Sequence, residues 1–163
     1  MILELSLVHS LNSIASLCGR SLAVPWVGFR LHPACVFSAD GKMTDSIGDS
    51  AQLPPYLDDL SFDSCCIPNT HLDRRTRTVQ AWSSYRFYAQ EPLLSADGEI
   101  LGCLILAGRS PRRLRRDQQL LLADFSALAA SILIIHLAQI ALESELSAPS
   151  PDVLEKVEHS RKE

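Results

Sequence analysis

Apolar and polar positions follow two different periods along this chain, and each change of period marks an element. Leu3, Leu7, Leu11, Ile14 and Cys18 recur every three or four residues, which is one apolar stripe of a helix over roughly residues 2–18, with Gly19 as its stop. Val24–Leu31 and Ala34–Ser38 then read as two strands, and Asp40-Gly41 predicts a turn into a weaker strand over Lys42–Ile47. Residues 48–60, with Pro54-Pro55 and Asp58-Asp59, predict a loop with room for one short helical turn. Ser61–Ile67 reads as a further strand closed by Pro68, and Asn69–Ser84 is polar and irregular.

The clearest pattern starts at Tyr85. Tyr85, Phe87 and Ala89 alternate with Arg86, Tyr88 and Gln90, the period of a half-buried strand. Ile100–Ala107 is almost continuously apolar, as expected for a strand covered on both faces. Asp97-Gly98 lies between these runs and predicts a tight primed hairpin turn.

Pro111 then introduces a long helix over about Leu114–Leu146, which carries two stripes. Leu121, Phe125, Leu128, Ile132, Ile135, Gln139, Leu142 and Leu146 form one; Leu122, Ala129, Leu133, His136 and Ile140 form the other. A sheet can cover one stripe, and a second copy of the chain is the simplest cover for the other. Leu7 and Leu11 of the first helix and Ile132, Ile135, Gln139 and Leu142 of the last are therefore the expected homodimer contacts. The order of elements predicts an α+β domain over residues 1–146, an antiparallel sheet with the terminal helices on one face, followed by a flexible tail over 147–163.

Composition narrows the function. The chain has 163 residues, 47 % hydrophobic and 21 % charged, with a net charge of −4 that gives no reason to expect nucleic acid as main partner. Charge is locally uneven, since Arg109, Arg112, Arg113, Arg115 and Arg116 crowd the start of the last helix, where the helix dipole disfavours them. The cysteines number five, an odd count, and the N-terminal stretch has no basic flank or clean apolar core of an export signal. A cytoplasmic protein with reduced thiols is expected. Leu120–Leu142 is long enough to cross a bilayer, but Asp124, His136 and Gln139 interrupt it, so an oligomer-forming helix is expected rather than a membrane span.

Chemistry-bearing motifs are sparse. Cys65 and Cys66 precede His71 and Asp73, but adjacent strand residues face opposite ways, and no C-x-x-C or H-x-x-x-H spacing is present. There is no glycine-rich phosphate loop, no G-x-S-x-G elbow and no paired-carboxylate signature. No metal site and no catalytic site are expected.

The stretch Tyr85–Arg112 resembles the GAF domain family of small sensory modules, whose pattern reads R-F-Y-A-G-x-P-L, then D-G, then G-T-L-C-V-I-D-x-x-P-R. Here Arg86-Phe87-Tyr88-Ala89-Gln90-Glu91-Pro92-Leu93 is followed by Asp97-Gly98 and by Gly102–Arg112 with unbroken spacing. Three positions depart from the pattern: Gln90 for glycine, Cys103 for threonine and Gly108 for aspartate. The resemblance implies a sensory or regulatory domain, dimeric through its terminal helices, that binds a small molecule or a partner protein. It names neither the ligand nor a cofactor.

The implied ligand site lies between the sheet and the segment Ser61–Ser84. Arg86 and Tyr88 would be its polar contacts from the strand, with Cys65 and Arg74 in the covering segment. The cysteine-histidine pair of bilin-binding members and the N-K-x-D motif of cyclic-nucleotide-binding members are both missing. A thiol-dependent reductase of the small GAF enzyme type is one alternative, and a ligand-free dimerisation module is another.

Overall fold

The computed structural model describes residues 5–31, 35–38, 43–44, 62–77 and 85–147. The expected loop at 48–60, the remainder of the weak third strand and the tail beyond residue 147 lie outside the described residues. Helix α1 (Leu5–Leu22) leads into strands β1 (Trp26–Leu31), β2 (Cys35–Ser38) and β3 (Met43–Thr44). Strand β4 (Cys65–Ile67), the hairpin of β5 (Phe87–Leu94) and β6 (Ile100–Gly108), and helix α2 (Arg116–Ser147) follow. The six strands form one sheet in the order β3-β2-β1-β6-β5-β4, and every neighbouring pair is antiparallel.

Alternation along the strands sorts side chains onto two faces. Val27, Phe29, Phe87, Ala89, Leu93, Leu104 and Leu106 turn to one face and form the main core with Leu7, Leu11, Ile14 and Cys18 of α1 and Leu122, Ala129 and Leu133 of α2. Both helices thus cover the same face of an antiparallel sheet, as the order of elements predicts. Ser126 of α2 adds a polar tie, its hydroxyl donating to the Pro92 carbonyl at 2.6 Å. Pro92 lies past the end of β4, where no described strand pairs with that edge of β5 and a missing N–H costs no ladder bond there.

Three local features differ from the sequence reading, each for a steric reason. Helix α1 does not stop at Gly19 but runs to Leu22. A Cβ at Gly19 would meet the Val24 carbonyl and Val27 Cγ2 at 3.3 Å, so this glycine lets the helix approach β1 closely. The helix ends instead at Ala23, in the left-handed region at φ 51°, where the Val24 and Ala23 N–H groups donate back to Gly19 and Arg20. The hairpin turn is not primed: only Gly98 (φ 81°) has positive φ, the Gly98 N–H donates to Ser95, and the Ser95 N–H donates to Glu99. That is a three-residue loop closed by a glycine bulge. Strand β4 is also shorter than Ser61–Ile67, because pairing with β5 begins only at Cys65.

The two stripes of α2 part company. Leu122, Ala129, Leu133 and His136 are buried and Ile140 of the same stripe is exposed, while in the other stripe Leu121, Phe125 and Ile132 pack partly against the core and Leu128 is 48 % exposed, Ile135 60 %, Leu142 59 % and Leu146 86 %. Arg116–Leu146 is long and apolar enough to cross a membrane by length and composition, with 33 % of its most apolar stretch buried inside the fold. Its buried side chains commit its first half to the sheet and α1.

Candidate functional site

The face of the sheet turned away from the helices is where the sequence places a ligand. Ile67, Tyr88, Cys103 and Ile105 form a small buried cluster there, flanked by Trp26, Phe62, Cys65 and Tyr85. Tyr88 and Gln90 are both almost completely buried. The Tyr88 hydroxyl donates to Gln90 Oε1 at 2.6 Å, and Gln90 Nε2 donates to the Asp63 carbonyl at 2.8 Å. The sequence expects Tyr88 to offer its hydroxyl to a ligand; in the fold that hydroxyl is used internally. Gln90, noted only as a departure from the family glycine, is what uses it. A glycine at this position could bond to neither partner.

Arg86 is half-buried on the bend just before the same strand. Its backbone N–H donates to Gly108 at 2.7 Å, and its carbonyl accepts the Thr70 N–H at 3.0 Å. Its Nε is buried and has no hydrogen-bond partner among the described residues. A buried guanidinium N–H without an acceptor is costly unless something supplies one, so Arg86 Nε has capacity for an anion.

Cys65 sits opposite Gln90. Burial pushes its thiol up, while Arg75, whose Nη1 lies 3.6 Å from Sγ, pulls it back down. Asp73 binds the same arginine through both carboxylate oxygens at 2.9 Å, and that bond holds the Asp73 carboxyl below the usual range. Cys103 faces Arg30 across β1 and β6, and burial pushes its thiol up to about 11. Arg30 in turn lies over the Phe62 ring, 4.1 Å from its centroid. The fold therefore brings Cys65 and Tyr88 onto one face, with Arg86 on the bend that leads into β5 and Arg74 exposed on the turn 69–77. Arg30 and Phe62 were not foreseen; a lone arginine in the apolar run Val24–Leu31 was the available signal. Among the described residues no three His, Cys, Asp or Glu side chains cluster as metal ligands would.

A second concavity lies between the helices. Ser6, Leu7, Ser10, Ile132, Ile135, His136 and Gln139 line a cleft of about 150 Å³. Ile132, Ile135 and Gln139, all expected at a dimer contact, share it, and Leu142 is exposed one turn further along. Leu7 and Leu11 correct the expectation. Leu11 is fully buried in the chain's own core, and Leu7 is almost so, showing only an edge at the floor of the cleft.

No family model matches the chain, and no curated protein matches it. Solved structures do. The GAF domain of a phosphoenolpyruvate-protein phosphotransferase from Acinetobacter is similar with a TM-score of 0.63, over 83 % of this chain and 86 % of that one, at 14 % identity. The GAF region of a putative membrane protein from Geobacter sulfurreducens gives 0.60 over 80 % and 95 %, also at 14 % identity. A type II free methionine-R-sulfoxide reductase from Thermoplasma acidophilum gives 0.53 over 77 % and 94 %, at 15 % identity. The chain has the GAF-like α+β fold, as the resemblance of Tyr85–Arg112 implied.

Proposed function

We propose that this chain is a sensory or regulatory domain that works as a homodimer through α2 and passes a change of packing along its terminal helices. One observation carries the reading: beyond Leu121, Phe125 and Ile132, which pack against the chain's own core, one apolar stripe of α2 leaves Leu128, Ile135, Leu142 and Leu146 on the surface, with Ile135 beside a cleft. The bond from Ser126 to Pro92 ties that helix to β5, which bears Tyr88 and directly follows Arg86, so a ligand on the far face would bear on α2 through β5. Arg86 would take the anionic part of a small molecule there. The same reading places the protein in the cytoplasm, where its thiols stay reduced.

Sedimentation of the purified chain at micromolar concentration tests the dimer, and a monomer would end this reading. Native mass spectrometry of protein purified from its own host tests the ligand. Arg86→Ala should then release a co-purified small molecule and leave the dimer intact.

The closed bonding of Tyr88, Gln90 and Asp63 favours a second reading, a dimerisation module that needs no ligand. Mass spectrometry showing only bare protein, with the dimer retained, would select it. The reductase alternative is supported by the similar Thermoplasma acidophilum fold and by Arg75 beside Cys65, but burial raises the Cys65, Cys66 and Cys103 thiols, which disfavours the reactive thiolate. Hence we read the chain as a non-enzyme. Turnover of free methionine sulfoxide that disappears in Cys65→Ser would overturn this.

A further inference from the structure

We propose that the end of the domain where β6 meets α2 is a docking surface for an acidic segment of a partner protein, gripped by the guanidinium groups of Arg74, Arg77, Arg109, Arg113 and Arg116 around Leu72. Two segments far apart in sequence build it. The turn 69–77 and the connection 109–115 are joined by a backbone bond from the Arg112 N–H to the Pro68 carbonyl at 2.9 Å. Thr70 bonds the backbone of Tyr85 and Arg86, and Arg86 bonds Gly108, which holds the turn against the end of β6. Most of the chain's 15 Lys and Arg residues thereby collect at one end of a molecule whose net charge is −4.

The connection is held rigidly. Leu114 is buried in the core, and Arg112 Nη1 donates to the Ala23 carbonyl at the end of α1 at 3.0 Å. The five arginines named are exposed, and none has a carboxylate partner among the described residues. Arg75 and Arg115 are the two that do, each with an aspartate two residues away. Crowding cations at the positive end of α2 opposes the helix dipole and adds like-charge repulsion, so the fold bears a cost here that an anionic partner would relieve.

The cations are all arginine, whose planar fork pairs bidentately with carboxylates and phosphates alike; two features select a protein segment over other polyanions. Leu72, in the same turn, is 76 % exposed and suits an apolar side chain of a peptide rather than a phosphate backbone. The net charge of −4 opposes a long nucleic acid, whereas a short segment need meet only the patch.

The surface gives the regulatory reading an output but does not require the α2 dimer. The test is fluorescence anisotropy on the full chain, with a labelled peptide of glutamates around a central leucine and an oligothymidylate of matched charge as competing probe. The peptide should bind, with affinity falling steeply as salt rises. Arg109→Gln/Arg113→Gln/Arg116→Gln should weaken it at least about tenfold without lowering the melting temperature. Arg74→Gln/Arg77→Gln, on the other segment, should weaken it too and decides the matter if the triple variant fails to fold; Leu72→Ser should do the same. No peptide binding, binding that ignores both sets of arginines, or tighter binding of the oligothymidylate would overturn the proposal. Sedimentation of the same samples reads the dimer separately.

Discussion

At the scale of single residues, two backbone positions are set by sterics rather than by chemistry. Gly102 has φ 156°, and a Cβ there would lie 2.3 Å from the Arg30 carbonyl. Gly102→Ala should cost on the order of 3 kcal/mol, measured by denaturant unfolding, because neither strand can withdraw without breaking the β1–β6 ladder. Ala23 is the reverse case. It occupies the left-handed position that closes α1, where glycine carries no Cβ penalty, so Ala23→Gly should raise stability by about 1 kcal/mol. Tyr88 separates the two readings of the sheet face. If its hydroxyl serves the fold, Tyr88→Phe lowers stability by about 1 kcal/mol; a residue that served only a ligand would leave the melt unchanged.

Cys18 adds a pH dependence. Burial pushes its thiol from 9.0 up to about 12, so the folded chain holds the proton that the unfolded chain releases. The stabilisation is complete below pH 9 and is lost as pH rises from 9 towards 12. Cys18→Ala should flatten that alkaline decline, read as the slope of unfolding free energy against pH.

At the scale of elements, the start of α2 shows a capping arrangement with one half missing. Gln118 accepts the Arg115 backbone N–H at 3.1 Å, as the third residue of a capping box does, but Arg115 has no side-chain oxygen to return the bond. Arg115→Ser should complete the box and raise stability by about 1 kcal/mol, checked by thermal melt. Arginine at this position therefore sacrifices helix stability and spends its guanidinium on Asp117 instead. The hairpin carries the same lesson about local signals. Asp97-Gly98 correctly marks the turn, yet the turn type follows from where pairing resumes, at Ser95 and Glu99, which the dipeptide does not specify.

At the scale of the whole molecule, the open stripe of α2 is the feature with the largest consequence. Ile135→Glu/Leu142→Glu places two charges on side chains exposed in the single chain, so the folded monomer should survive while the dimer is lost. Sedimentation of a soluble, cooperatively folding monomer is the expected result. Had Leu7 or Leu11 been chosen, the charge would enter the core and unfold the chain, and the experiment would not address assembly.

The sequence by itself determined the element order, the antiparallel α+β class, the hairpin and the double striping of α2. These rest on periodicity and turn chemistry, which are local and act within a few residues. It could not decide which stripe of α2 the sheet would take, because both are apolar at helical spacing; only packing against α1 and β5 buried Leu122, Leu133 and His136 and left Ile135 and Leu142 outside. Nor could it tell that Gln90 would satisfy Tyr88, since the third partner, the Asp63 carbonyl, is 27 residues away and meets them only when β4 pairs with β5. The arginine surface was half legible: five arginines near Pro111 stand together in the chain, but Arg74 and Arg77 join them only through the bond from Arg112 to Pro68. Contacts between distant segments depend on the closed fold, and they are what tertiary structure alone decided.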